Sequence, residues 1–114
     1  MEAVITGETF KVDWDEATRT VALKGILRLN GLDEYAPIAQ LLSSAVPQGA
    51  MVLDLRELEF LNSSGIAMLS KFVIEIRNRK TVDLTVLGSK AVSWQGKSLV
   101  NLCKLMPSLR MEIA

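Results

Sequence analysis

Apolar residues alternate with polar ones over Phe10, Val12 and Trp14, and the alternation resumes at Val21 and Leu23 beyond Asp15-Glu-Ala-Thr18. A period of two marks strands with one buried face, which predicts a β-hairpin whose second strand runs on through Gly25-Ile-Leu27 to Leu29. The period then lengthens. Tyr35, Ile38, Leu41, Leu42 and Ala45 share one side of a helix that Asp33 is placed to cap, with Pro37 near its start and Pro47-Gln-Gly49 as its stop. Ala50-Met-Val-Leu-Asp-Leu55 is too continuously apolar for a strand with a wet face and predicts a central strand covered on both sides. Beyond Asn62-Ser63-Ser64-Gly65 the helical period returns with Ile66, Leu69, Val73 and Ile76. That helix ends in Arg77-Asn-Arg-Lys80, whose positive charges suit the negative end of the helix dipole. Val82 to Leu87 alternates as a strand before Gly88. A third helix is expected from about Ala91 to Met106, with Val92, Leu99, Leu102, Cys103 and Met106 inward, and Leu109, Met111 and Ile113 make a last strand.

The predicted order is β-β-α-β-α-β-α-β. Repeated strand-helix-strand units predict one α/β domain over residues 1–114, with a mixed, mostly parallel sheet of about five strands and three to four helices packed on it. A chain of 114 residues has room for one core, and its 49% apolar content is dispersed as in a globular protein.

Charge narrows the choice of partner. Lys plus Arg and Asp plus Glu are equal at 13 each, so no net field draws the chain toward nucleic acid or an anionic membrane. No apolar stretch approaches the ~20 residues of a spanning helix, and the N-terminus lacks a basic start followed by an apolar run, which leads us to expect a cytoplasmic protein. Histidine is absent and Cys103 is the sole cysteine, which removes intrachain disulfides, Cys/His zinc sets and the Ser-His-Asp and Cys-His catalytic arrangements. We expect no catalytic residue, no metal and no cofactor, and read Cys103 as a buried small apolar residue.

The segment with most functional content is Leu53-Asp-Leu-Arg-Glu-Leu-Glu-Phe-Leu-Asn-Ser-Ser-Gly-Ile-Ala-Met-Leu69: a buried strand, a short linker holding Phe60, and a polar turn opening a helix. It resembles the signature of STAS (sulfate transporter and anti-sigma factor antagonist) domains, in which a strand ending in Asp-Leu leads through such a linker to an Asp-Ser-Ser-Gly-Leu turn. Gly25-Ile-Leu-Arg-Leu-Asn-Gly-Leu-Asp33 resembles the family's second strand and following loop, and element order and length agree with a stand-alone antagonist. The resemblance implies a regulatory, non-enzymatic switch that binds an anti-sigma factor of the serine-kinase type. It implies phosphorylation at Ser64, with Ser63 as neighbour, and reversal by a phosphatase. Asn62 stands where the family usually has Asp, which keeps a helix cap but removes a carboxylate beside the serine; Ala67 replaces a common second Gly.

Physics gives the turn two uses. Asn62 or Ser63 can cap the helix by accepting from backbone N–H groups, and Gly65 keeps the turn small or lets other chain approach. A serine hydroxyl at a helix N-terminus is also placed where the dipole tolerates a phosphate, and that added charge would break a fitted interface. The expected partner surface comprises Asn62, Ser63, Ser64, Gly65, Met68 and Phe72, the last two as an exposed pair on a different side of the helix from its apolar stripe, although Phe72 reads equally as the edge of a broad buried stripe. An alternative is a constitutive adaptor that needs no phosphorylation.

A third reading comes from Ala91-Val-Ser-Trp-Gln-Gly-Lys-Ser98, a loosened phosphate-binding loop in which Lys97 and Ser98 would hold a nucleotide and magnesium. Val92, Trp94 and Gln95 occupy positions such loops keep small, so the segment reads better as the start of an amphipathic helix.

Overall fold

The computed structural model describes residues 3–45, 49–79 and 82–113. The elements are β1 (Ala3–Thr6), β2 (Phe10–Asp15), β3 (Thr20–Leu27), α1 (Gly31–Ala45), β4 (Gly49–Asp54), β5 (Leu58–Leu61), α2 (Ser63–Arg79), β6 (Val82–Gly88), α3 (Gln95–Leu105) and β7 (Arg110–Ile113). They form one α/β unit with a mixed sheet in the order β1-β2-β3-β4-β6-β7, β5 pairing with β3 off that path. The first three strands are antiparallel and the remaining pairings parallel, as the strand-helix-strand repeats predict.

The sheet has seven strands where the alternation predicted about five. β1 adds itself to the β2 edge through the register Ala3↔Trp14 to Thr6↔Lys11. β5 arises because β3 is shared: its first half pairs with β4 over Thr20–Ala22, then its register shifts at Gly25/Ile26 and its second half pairs with β5. Gly25 permits the shift. Its φ of +88 is open to glycine at no steric cost, and an added Cβ would collide with the carbonyl oxygen of Thr9. The jog from β4 to β5 is held by Asp54, whose carboxylate accepts from Arg56 Nε at 3.0 Å and Nη2 at 2.8 Å and from the Arg56 backbone N–H at 3.1 Å.

All three helices lie against one face of the sheet. Val12, Val21, Leu23, Met51, Leu53, Leu84 and Val86 point into that interface and meet Tyr35, Ile38, Leu42, Leu69, Val73, Ile76, Leu99 and Leu102. Each fully buried aliphatic side chain of this kind contributes roughly 1.5–3 kcal/mol. The opposite face carries Lys11, Asp13, Lys24, Val52, Asp54, Thr85 and Leu87, all exposed or half-buried. β4 is therefore central but covered on one side only, which corrects the doubly covered strand expected from Ala50–Leu55: Val52 and Asp54 face outward.

The helices begin and end differently from the sequence expectation. α1 starts at Gly31, so Asp33 sits in its first turn and not at its cap; the Asn30 N–H is taken by Glu34 Oε1 at 3.1 Å. The proposed stop at Pro47 and the basic end at Lys80 lie outside the described residues. α3 begins at Gln95, and Val92 belongs to the turn before it. Among the described residues no helix is long and apolar enough to cross a membrane.

The side-chain bond from Arg56, aided by its charge, holds the Asp54 carboxyl below its ordinary 3.8. A depressed carboxylate stabilises the fold above its unfolded pKa and loses that contribution as pH falls through the folded value. Asp54→Asn is expected to lower the thermal midpoint at neutral pH, with the difference from wild type closing below pH 3.8; melting curves across that range check this.

Candidate functional site

β3, β5 and the N-termini of α1 and α2 converge at one end of the sheet, and Asn62 ties them together. Its backbone N–H donates to Leu27 O at 3.2 Å, and its carbonyl accepts from Ile66 N at 3.0 Å, the first bond of α2. Asn62 is thus the N-cap, and its Oδ1 accepts from the Gly65 N–H, three residues on, at 3.0 Å. The same oxygen accepts from the Tyr35 hydroxyl at 2.7 Å, while Nδ2 donates to Leu29 O at 2.8 Å. With a donor N–H on one side and an acceptor carbonyl on the other, the amide has one satisfiable orientation. Burial pushes the Tyr35 hydroxyl above its ordinary 10.0, against a smaller lowering from the Leu29 backbone, so it remains a donor at neutral pH.

This arrangement suits an amide better than a carboxylate at position 62. A carboxylate could cap Gly65 N, but it would set an acceptor against the Leu29 carbonyl where the amide now donates.

With Asn62 as cap, the two serines are released from that duty. Ser63 is exposed and Ser64 half-buried, and neither hydroxyl bonds another described residue. Gly65 is buried, and what approaches it is side chain: an added Cβ would collide with Leu61 Cδ1 and lie 2.8 Å from the Tyr35 hydroxyl.

Met68 and Phe72 are not an exposed pair. They are 3% and 4% exposed, because α1 packs along that side of α2 and widens the buried stripe to Met68, Leu69, Phe72, Val73 and Ile76. They instead floor a groove of about 530 Å³ between α1 and α2, walled by Leu32, Ala36, Ala39 and Lys71. Ser64, Met68 and Phe72 follow at i, i+4 and i+8, which puts the Ser64 position at the head of this groove. Phe60 and Arg28 lie near the same end, Phe60 exposed and the guanidinium 4.9 Å from its ring centroid.

The Ala91–Ser98 segment does not form a phosphate cradle. Ala91, Val92, Gln95 and Ser98 spend their backbone N–H groups on local turn bonds. Gln95 is fully buried, donating through Nε2 to Leu55 O at 2.6 Å and Leu58 O at 3.0 Å and accepting from Ser89 N at 2.8 Å. It fastens α3 to the β4–β5 jog, and Trp94 Nε1 reinforces this by donating to Glu59 O at 3.1 Å. Lys97 is exposed on α3. Among the described residues no three His, Cys, Asp or Glu side chains are grouped to hold a metal.

A mixed sheet with helices on one face, and a polar turn opening the helix after the β4–β5 pair, defines a STAS-like fold. Solved structures agree: the chain is similar to SiaC of Pseudomonas aeruginosa at 15% identity, covering 100% of this chain and 96% of that one with a TM-score of 0.66. It is similar at 16% identity, 97% coverage of both chains and a TM-score of 0.74 to a chain in the complex of the diguanylate cyclase SiaD with its activator SiaC, also from Pseudomonas aeruginosa. An anti-sigma factor antagonist from Mycobacterium paratuberculosis matches at 23% identity over 96% of this chain and 84% of its own, with a TM-score of 0.57. No protein-family model and no curated protein matches the chain.

Two substitutions test the geometry of the turn. Gly65→Ala is expected to cost about 1–3 kcal/mol, as overpacking against Leu61 and Tyr35. Asn62→Asp is expected to cost about 1–3 kcal/mol at neutral pH and to recover in acid, where a protonated carboxyl can again donate to Leu29 O. Chemical denaturation at neutral and acidic pH measures both.

Proposed function

We propose that this chain is a regulatory adaptor that binds a protein partner through the Asn62–Gly65 turn and the adjoining α1/α2 groove, with Ser64 as its phosphorylation switch. The observation that carries this reading is the division of labour in the turn: Asn62 satisfies the helix end, and the Ser63 and Ser64 hydroxyls have no bond to another described residue. A partner would cover Ser63, Ser64 and the open side of Asn62 directly, with Gly65 buried beneath the turn, and would contact Met68 and Phe72 only as the floor of the groove.

Phosphate on Ser64 adds a charge of about −1.5 to −2 at the head of an apolar groove. The helix N-terminus lowers the cost of that charge to the free protein, whereas a partner fitted to a neutral hydroxyl would have to desolvate it. Unmodified protein binds and phosphoprotein releases. The resemblance of the turn to that of anti-sigma factor antagonists makes a serine-kinase-type anti-sigma factor the leading partner, with a phosphatase to reset the switch.

A second reading, a constitutive adaptor, is favoured by Asn62 itself, which removes a carboxylate beside the serine. SiaC, similar in fold, is described in complex with a diguanylate cyclase that it activates, which is consistent with partners beyond anti-sigma kinases on this scaffold.

Affinity capture from the native cell extract, followed by titration of the identified partner, separates the two. For the switch, Ser64→Ala keeps wild-type affinity and Ser64→Asp weakens it at least about tenfold; equal binding by both variants leaves only the constitutive adaptor. Leu32→Glu, an exposed position on the groove wall, is expected to reduce partner affinity in either case with no loss of thermal stability. Unchanged binding by that variant removes the groove from the interface.

A further inference from the structure

The sheet ends in an open strand with self-complementary charge. β7 is last in the strand order, pairs only with β6, and makes no other backbone hydrogen bond among the described residues. An unpaired edge of this kind is a template for a further strand.

Arg110 and Glu112 are exposed on the outward side of β7, and neither has an ion-pair partner among the described residues. Met111 and Ile113 are half-buried on the helix side. When two copies of β7 run antiparallel about a two-fold axis through Met111, Arg110 of each copy falls opposite Glu112 of the other. One register thus forms two opposite-charge pairs at directly facing positions. The other sheet edge, β1, has the sequence Ala-Val-Ile-Thr and holds no charge that could select a register in this way.

The helix above the edge agrees. α3 covers β6 and β7: a Cβ added to Gly88 would lie 3.0 Å from Leu99 and 3.3 Å from Ile113. On one flank α3 meets α2, where Arg77 Nη1 donates to Leu105 O at 3.1 Å. With Leu99, Leu102 and Met106 inward and Ser98 and Leu105 toward α2, helical geometry turns Gly96, Val100 and Cys103 toward the open edge. Val100 is 47% exposed, more than any other large hydrophobic residue in the described structure.

We propose that the chain forms a two-fold dimer by antiparallel pairing of β7 with β7 of a second copy, Val100 of the two α3 helices closing over the join. The two sheets become one continuous sheet, and both Asn62–Gly65 turns stay outside the interface. This proposal stands independently of the function of Ser64.

Sedimentation velocity over a concentration series of the full chain tests it, with circular dichroism and melting curves confirming that each variant folds. Wild type is expected to pass from monomer to dimer with rising concentration. Arg110→Glu and Glu112→Arg each place like charges opposite one another twice, and each weakens association at least about tenfold. The double variant Arg110→Glu/Glu112→Arg restores the pairing and dimerises as wild type does. Val100→Asp weakens association without touching the strand. Cys103, expected from the sequence to be buried, is half-buried and is the chain's single thiol, so a short bismaleimide gives covalent dimer in wild type and the double variant and much less in either single variant. A wild type that remains monomeric throughout, single variants that associate like wild type, or a double variant no better than the singles overturns the proposal.

Discussion

A half-buried amide with one orientation organises the functional end of this molecule. Asn62 receives the Gly65 N–H and the Tyr35 hydroxyl on its oxygen and gives its N–H to Leu29 O, so the β3 exit, α1 and α2 are fixed relative to one another by a single side chain. Buried polar groups are costly when unmet, and here each contact satisfies one group on each side. The position of the serine turn in space follows from this node. So does the crossing of α1 and α2 that leaves a groove between them.

One-sided packing sets the remaining possibilities. Because the helices occupy one face of the sheet, the α1/α2 groove brings the core close to the surface, with Met68 and Phe72 as its floor. The other end of the helix layer is closed by Gln95, whose amide bridges α3, the β4–β5 jog and the end of β6. A rigid, closed end and a grooved, hydroxyl-bearing end suit a protein that is recognised by others.

Much of this was readable from residue order. Period-two runs at Phe10–Trp14 and Val82–Leu87 are strands, and Ile66, Leu69, Val73 and Ile76 do mark the inward side of a helix. The Asn-Ser-Ser-Gly turn was legible because capping chemistry is local. What escaped depends on contacts distant in sequence. β1 and β5 are four residues each and take their form from partners, β5 from a register shift at Gly25 that no periodicity announces. Met68 looked free, and Phe72 could be read either way, because one stripe on α2 already accounted for the sheet; α1 supplies a second surface. Val52 made β4 look doubly covered, although one β-branched residue on an open face is ordinary. Gln95 gave no signal at all, since burial of an amide is decided by the three groups it happens to meet.

The central claim is that Asn62 holds the helix end and leaves the serine hydroxyls uncommitted, and the unfolding free energies of Asn62→Ala and of the double variant Ser63→Ala/Ser64→Ala, measured side by side by denaturant titration, test it most directly. The account predicts a loss of at least about 2 kcal/mol for Asn62→Ala, which strands Leu29 O and the Gly65 N–H, and a change within about 0.5 kcal/mol for the serine pair. A large loss from the serine pair with little from Asn62→Ala would contradict it, because the hydroxyls would then be structural and unavailable to any partner or kinase.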